Sequence, residues 1–180
     1  MGFSLIEIVV VLAVVAVLVG IVAPRVDLAR YEVDASARLI EGVLQQAQRT
    51  AVQRQHDVLV SFDTSLNLIR TTYDANNNRV LDPGERRSSA GLTDGTRFAA
   101  PPFGLGGGQV PAINGQSLIS NDGYPTVIFR RNGAASSNLE VYLGSTDRPA
   151  AHLRAVGVVQ STGRAQLYRR AGAGWKREGI

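Results

Sequence analysis

The first 23 residues constrain the fold more than any other part of the chain. Residues 8–23 are sixteen apolar residues in a row, counting Gly20, and the only charge within residues 2–23 is Glu7. A run of this length can cross a bilayer as a helix. A carboxylate near one end of such a helix is costly unless another group meets it. The chain therefore has to supply Glu7 with a partner or keep it in a special place.

Two ordinary explanations leave something out. A secretory signal peptide has a basic segment ahead of its apolar core and a small-residue cleavage site after it. Here no basic residue precedes the run, and the run continues into a helical pattern. A plain signal anchor explains the apolar length but not Gly2, Phe3 or Glu7. The flanking charges do little to set orientation, because Arg25 and Arg30 are diluted by Asp27, Glu32 and Asp34.

Beyond the run, apolar residues recur at Val33, Ala37, Ile40, Leu44, Ala47 and Ala51. These spacings of three and four are those of an amphipathic helix. Pro24 lacks an N–H and clashes with the preceding turn, so it should kink or locally open the helix. The expectation is one helix over residues 3–55, roughly 80 Å long at 1.5 Å per residue. It would be transmembrane over 3–24 and amphipathic over 25–55.

Residues 56–180 read as a strand-rich domain long enough to bury one modest core. Residues 58–63 alternate and could pair with 66–73 across Thr64 and Ser65. Residues 98–125 are rich in Gly and Pro and read as a long loop with short strand pieces. Further strands are expected at 126–131, 139–143, 153–160 and 165–169, with turns at Asn132-Gly133 and 161–164. Six or seven strands follow one helix. The fold class is α+β, with a long N-terminal helix packed on a two-sheet or strongly bent antiparallel arrangement. There is no cysteine, so packing must stabilise the domain, with or without a bound ion.

At this point the motif is informative as a whole. Gly2-Phe3-Ser4-Leu5-Ile6-Glu7, opening a long apolar helix, resembles the N-terminal signature of type IV pilins and type II secretion pseudopilins. The later runs 128–133, 139–143 and 158–167 are similar to the GspH/FimT group of minor pseudopilins and minor pilins. The resemblance implies a pilin-like fold and cleavage between Gly2 and Phe3 by a prepilin peptidase, which makes residues 1–2 the remnant of a prepilin leader. It also implies N-methylation of Phe3. A prepilin leader carries basic residues before the glycine, whereas only Met1 stands there, leaving a start upstream of Met1 or a trimmed terminus as the two readings.

The resemblance gives Glu7 its partner. The freed amine of Phe3 on a neighbouring subunit could neutralise the carboxylate and set an axial register, as a buried polar residue does in a coiled coil. The implied protein is a low-abundance subunit of a secretion pseudopilus or a type IV pilus, often in a tip or priming complex. Its partners would be other pilins, the peptidase and inner-membrane lipid. Its domain would face the periplasm or the exterior. A rival is a single-pass anchored binding domain that never polymerises.

Two soluble features suggest further chemistry. In residues 74–85, oxygen side chains fall at Asp74, Asn76, Asn78, Asp82 and Glu85, and Val80 can offer its carbonyl. This is the spacing of a calcium loop, except that Arg79 stands where glycine is expected and flanking helices are absent. The other reading is an Asx-rich turn between strands. Calcium is thus one reading of the loop, and no cofactor is required.

The second feature is the charge balance. Residues 1–147 carry 12 basic and 14 acidic side chains, and residues 148–180 carry seven basic and one acidic. Arg164, Arg169, Arg170, Lys176 and Arg177 surround Tyr168 and Trp175, a combination suited to a nucleic-acid backbone. Some FimT-like minor pilins act in DNA uptake, which makes a DNA receptor the alternative function. The plainer reading is a basic hairpin with a frayed tail, because residues 171–174 are small and flexible. His56 and His152 are isolated and residues 104–108 lack the lysine of a phosphate loop. No catalytic constellation is apparent, so neither an enzyme nor a small-molecule substrate is expected.

Overall fold

The computed structural model describes residues 2, 4–22, 27–115, 118–121, 123–148 and 151–178, with backbone alone at 19–22 and 119–121. Two helices occupy the N-terminal third. The first, α1, is Leu5–Val22, and the second, α2, is Leu28–Arg54. The single helix expected over 3–55 is therefore two. Asp27 leaves helical geometry at φ −85 and ψ 81, and its side chain accepts from the Arg30 N–H. That is a fresh N-cap, and it satisfies a donor the new helix end would otherwise leave open. The expected kink at Pro24 lies outside the described residues.

In α1 only Glu7 is charged, and the described apolar side chains from Leu5 to Leu18 face outward. Its 18 residues extend ~27 Å, just under a bilayer's ~30 Å hydrocarbon core. Among the described residues no helix is long and apolar enough to cross a membrane.

The stripe on α2 behaves as its period requires. Val33, Ala37, Ile40, Leu44, Ala47 and Ala51 are all buried, joined by Ser36. Gln55 closes the helix in the left-handed conformation at φ 59. Arg54, in the last turn, suits the negative end of the helix dipole.

Among the described residues eleven strands follow, in two antiparallel sheets. The first sheet runs β3-β2-β1-β7-β6 and the second β11-β10-β9-β8-β4, with β5 also paired to β8. Their ranges are β1 Asp57–Asp63, β2 Leu68–Asp74, β3 Arg87–Gly91, β4 Thr96–Phe98, β5 Ile113–Asn114, β6 Ile119–Asn121, β7 Tyr124–Phe129, β8 Leu139–Ser145, β9 Arg154–Val158, β10 Ala165–Ala171 and β11 Gly174–Arg177. Helix α2 packs against both sheets. Its stripe joins Val58, Val60 and Phe62 of β1, Val127 and Phe129 of β7, and Leu139, Val141, Val156 and Leu167 of the second sheet in one core. Each fully buried side chain of this size stabilises the fold by roughly 1.5–3 kcal/mol relative to exposure. The fold is α+β with antiparallel sheets and a helix laid on them, as expected.

Several details depart from the expectation. The β1–β2 turn takes four residues, with Asp63 opposite Leu68, rather than the pair Thr64 and Ser65. The Asp63 carboxylate sets it by accepting from the Ser65 N–H, the Ser65 hydroxyl and the Leu66 N–H. Strand β3 was not expected at all. The tail is not frayed, because residues 168–171 pair with 174–177 across Gly172, which sits at φ 61.

Candidate functional site

Among the described residues the exposed large apolar side chains concentrate on α1, from Leu5 to Leu18. Leu5 is 82% exposed and Val10 56%. Glu7 lies in the first turn, where the Ser4 carbonyl accepts from the Glu7 and Ile8 N–H groups at 3.0 and 3.2 Å. Within α1 the Glu7 side chain is exposed and has no ion-pair partner among the described residues. Gly2 is described, whereas Phe3, the other side of the expected cleavage, lies outside the described residues.

The start of α2 forms a polar joint with the second sheet and the residues just before it. Asp27 is 3.0 Å from His152 Nε2, so this histidine is not isolated. Arg154 is 6% exposed and reaches Asp34 on α2 through its Nε, while its Nη1 donates to the Leu153 carbonyl. Arg30 adds a 3.8 Å contact to the same aspartate. The start of α2 is thereby fastened to the second sheet by charge as well as by packing. Sequence reasoning missed this joint, since its partners lie more than a hundred residues apart.

A second brace sits lower on α2. The Gln48 amide donates to the Gly133 carbonyl at 3.0 Å and to the Thr162 carbonyl at 2.5 Å. One helix side chain thus holds two turns that close neighbouring hairpins. Gly163 is at φ 61, and a Cβ there would run into the Gly133 carbonyl oxygen. Glycine is required at this position by both conformation and space.

The loop over 74–85 folds on its own N–H groups. Asp74 accepts from Asn78 N at 3.2 Å and Arg79 N at 2.6 Å; Glu85 accepts from Ala75 N at 3.1 Å and Asp82 N at 3.2 Å. One Asp82 oxygen takes both Asn76 and Asn78 amides, and Asn78 Oδ1 takes Val80 N. Arg79 adopts φ 64, the left-handed geometry for which a calcium loop uses glycine. Among the described residues no group of three or more His, Cys, Asp or Glu is placed to hold a metal. The internal hydrogen bonds are those of an Asx-rich turn.

The basic residues near the C-terminus do not form one stripe. Arg169 stands opposite Lys176, and Tyr168 opposite Arg177. Strand alternation therefore puts Arg169 and Lys176 on one face and Arg177 on the other, with Arg164 away in the 161–164 turn. Trp175 is engaged elsewhere, its indole donating to the Phe103 carbonyl at 2.9 Å and its ring 5.5 Å from that of Tyr142. Burial, together with the nearby Glu140 carboxylate, pushes the Tyr142 hydroxyl above its ordinary range. That hydroxyl donates to Glu140 and accepts from Leu105 N, which clips residues 103–105 onto the second sheet.

Comparison with known proteins agrees with this architecture. Residues 36–163 match the family model described as type II transport protein GspH. No curated protein matches the sequence. Two structures of the minor pseudopilin EpsH from the type 2 secretion system of Vibrio cholerae are similar. One has 10% identity, covers 79% of this chain and 98% of that chain, and gives a TM-score of 0.51. The other has 14% identity, covers 77% and 94%, and gives 0.53. The type IV minor pilin FimU of Pseudomonas aeruginosa is similar at 15% identity, over 82% of this chain and 94% of that one, with a TM-score of 0.50. At such identities these structures share the fold.

Proposed function

Because the chain belongs to the GspH family of type II transport proteins, we propose that it is a minor subunit of a filament, either a type II secretion pseudopilus or a type IV pilus. The observation that carries this reading is the outward apolar surface of α1 on a domain whose other helix hides its own stripe completely. An apolar surface of that length on a folded protein belongs against lipid or against other apolar helices. The subunit would wait in the inner membrane, held by the run over 3–24, and then exchange lipid for the helices of neighbouring subunits. Its domain would sit outside the cytoplasm and contact other minor subunits.

Glu7 then acts as the register mark. Peptidase cleavage between Gly2 and Phe3 would free an amine, methylated on Phe3, and a neighbour's amine would meet the Glu7 carboxylate in apolar surroundings. The pairing offsets the cost of burying the acid and fixes how far one subunit rises above the next. No step makes or breaks a bond at this protein's own side chains, so the role is assembly rather than catalysis. The similarities lend no support to DNA uptake.

The test is incorporation into sheared filaments or crosslinked pseudopilin complexes from native membranes. Glu7→Ala should abolish incorporation while the protein stays membrane-bound and folded. Gly2→Ala should leave residues 1–2 on the chain by mass spectrometry. A Glu7→Ala protein that enters filaments as well as the native one would end this reading.

A further inference from the structure

The first sheet has an uncovered edge at β3. Tyr73 N donates to Arg86 O at one end of the β2–β3 pair, and Leu92 N donates to Asn67 O at the other. With Thr71 opposite Ser88 and Ile69 opposite Ala90 between them, the hydrogen-bonded positions are Arg86, Ser88, Ala90 and Leu92. Arg87, Ser89 and Gly91 therefore aim their N–H and C=O groups away from the sheet. All three are exposed, and β3 is the outermost strand. Natural edges are usually blunted by proline, a bulge or inward charges. Over Ser88, Ser89, Ala90 and Gly91 this edge has no proline and no charge.

A cavity flanks the edge on each face. On the face away from α2, about 310 Å³ is lined by Arg70, Thr72, Leu81, Arg87, Ser89 and Tyr124, among others. On the face toward α2, about 290 Å³ is lined by Val43, Ala47, Ile69, Tyr73, Arg86 and Ala90, among others. The two differ in chemistry. Arg70 in the first is neutralised by Asp63 at 2.7 Å, but Arg87 makes only a 3.3 Å hydrogen bond to the Asp82 carbonyl and no ion pair among the described residues. Arg86 in the second lies over the Tyr73 ring at 5.5 Å, and the lining mixes Val43, Tyr73 and Ala90 with Gln46, Thr71 and Ser88.

We propose that β3 accepts an extended segment of another polypeptide as a sixth strand, with alternate apolar and acidic side chains entering the two cavities. Backbone bonds to Arg87, Ser89 and Gly91 supply the attachment, and the period of two sends successive side chains to opposite faces. The acidic positions meet Arg87, and the apolar positions meet the partly exposed Val43, Tyr73 and Ala90. This contact does not use α1 or Glu7, so it stands or falls separately from the filament reading.

The probe is a capped peptide of alternating valine and glutamate, with a valine–lysine peptide as its counterpart, added to the full chain in detergent. Binding of the glutamate peptide should slow amide exchange at Arg87, Ser89 and Gly91. Ser89→Pro removes one outward donor and leaves the β2–β3 bonds in place, a substitution that edge strands tolerate. It should weaken binding by about tenfold or more with little change in melting temperature. Arg87→Glu should weaken the glutamate peptide and strengthen the lysine peptide, which guards against misfolding of the proline variant. The proposal is overturned if the glutamate peptide leaves exchange unchanged, if Ser89→Pro binds it equally, or if both peptides bind alike. A dimer of the chain alone that Ser89→Pro dissolves would assign the edge to a second copy and overturn it too.

Discussion

The two helices use apolar residues in opposite ways. In α2 one in three or four residues is apolar along a single line, and every residue of that line is buried. In α1 nearly every residue is apolar, and none of the described side chains is buried. A stripe can be covered by the chain's own sheets. A helix that is apolar all round needs surroundings that are apolar on every side, which one small domain cannot provide. The difference separates the part of the molecule that makes it fold from the part proposed above to make it assemble.

The comparison breaks most visibly if the two parts cannot be uncoupled. Removing residues 1–26 should abolish filament incorporation and leave the domain's melting temperature within about 2 °C, since surface changes away from core features cost little. A domain that fails to fold without α1 would refute the division. Within the folding part, Asp34→Ala strands the nearly buried Arg154 guanidinium and should cost about 3 kcal/mol in a denaturant titration. Leu44→Ala should cost about 2–5 kcal/mol, whereas Val10→Ala on α1 should stay within about 0.5 kcal/mol of the native domain. Turn glycines offer a finer test. Gly172 and Gly163 share φ 61, but only Gly163 lies against another backbone. Gly163→Ala should therefore destabilise by about 1 kcal/mol or more beyond Gly172→Ala.

The smallest effect is one of pH. The Ser65 hydroxyl, at 2.6 Å, lowers the Asp63 carboxyl below its ordinary 3.8, aided by the backbone N–H groups of Leu66 and Ser65 and opposed by burial. A lowered folded value means the contribution is present above pH 3.8 and is lost as pH falls through the folded value. Asp63→Asn should therefore melt below the native protein at pH 7, and the gap should narrow in acid. Parallel melting curves from pH 7 to pH 2 would contradict this assignment.

Much of the folding part was legible beforehand. The spacing of Val33, Ala37, Ile40, Leu44, Ala47 and Ala51 announces a buried helix face because helical geometry leaves few alternatives. The strand cores around Val58 and Val141 are visible as β-branched or alternating runs. Strand β3 was invisible because an edge strand reading Arg-Ser-Ser-Ala-Gly buries almost nothing and so carries no apolar signal. Strand β11 was hidden by the glycines that make its turn. The β1–β2 turn was misjudged because its length is set by one carboxylate, not by a Gly or Asn pair. In the loop over 74–85 the oxygens at a cation's intervals also accept from backbone and amide N–H groups, bonds that spacing does not reveal. Residue spacing also could not separate one basic stripe from two faces, because that depends on strand register.

The tie between Arg154 and Asp34, with His152 and Asp27 beside it, has a mechanical consequence. In the filament proposed above, growth or retraction would load each subunit from its N-terminal side. Tension arriving at the first turn of α2 would pass into β9 across these charges, instead of shearing the greasy contact beneath the helix. The joint would thus spread traction over a whole sheet, and weakening it should let the helix peel away under load before the domain itself unravels.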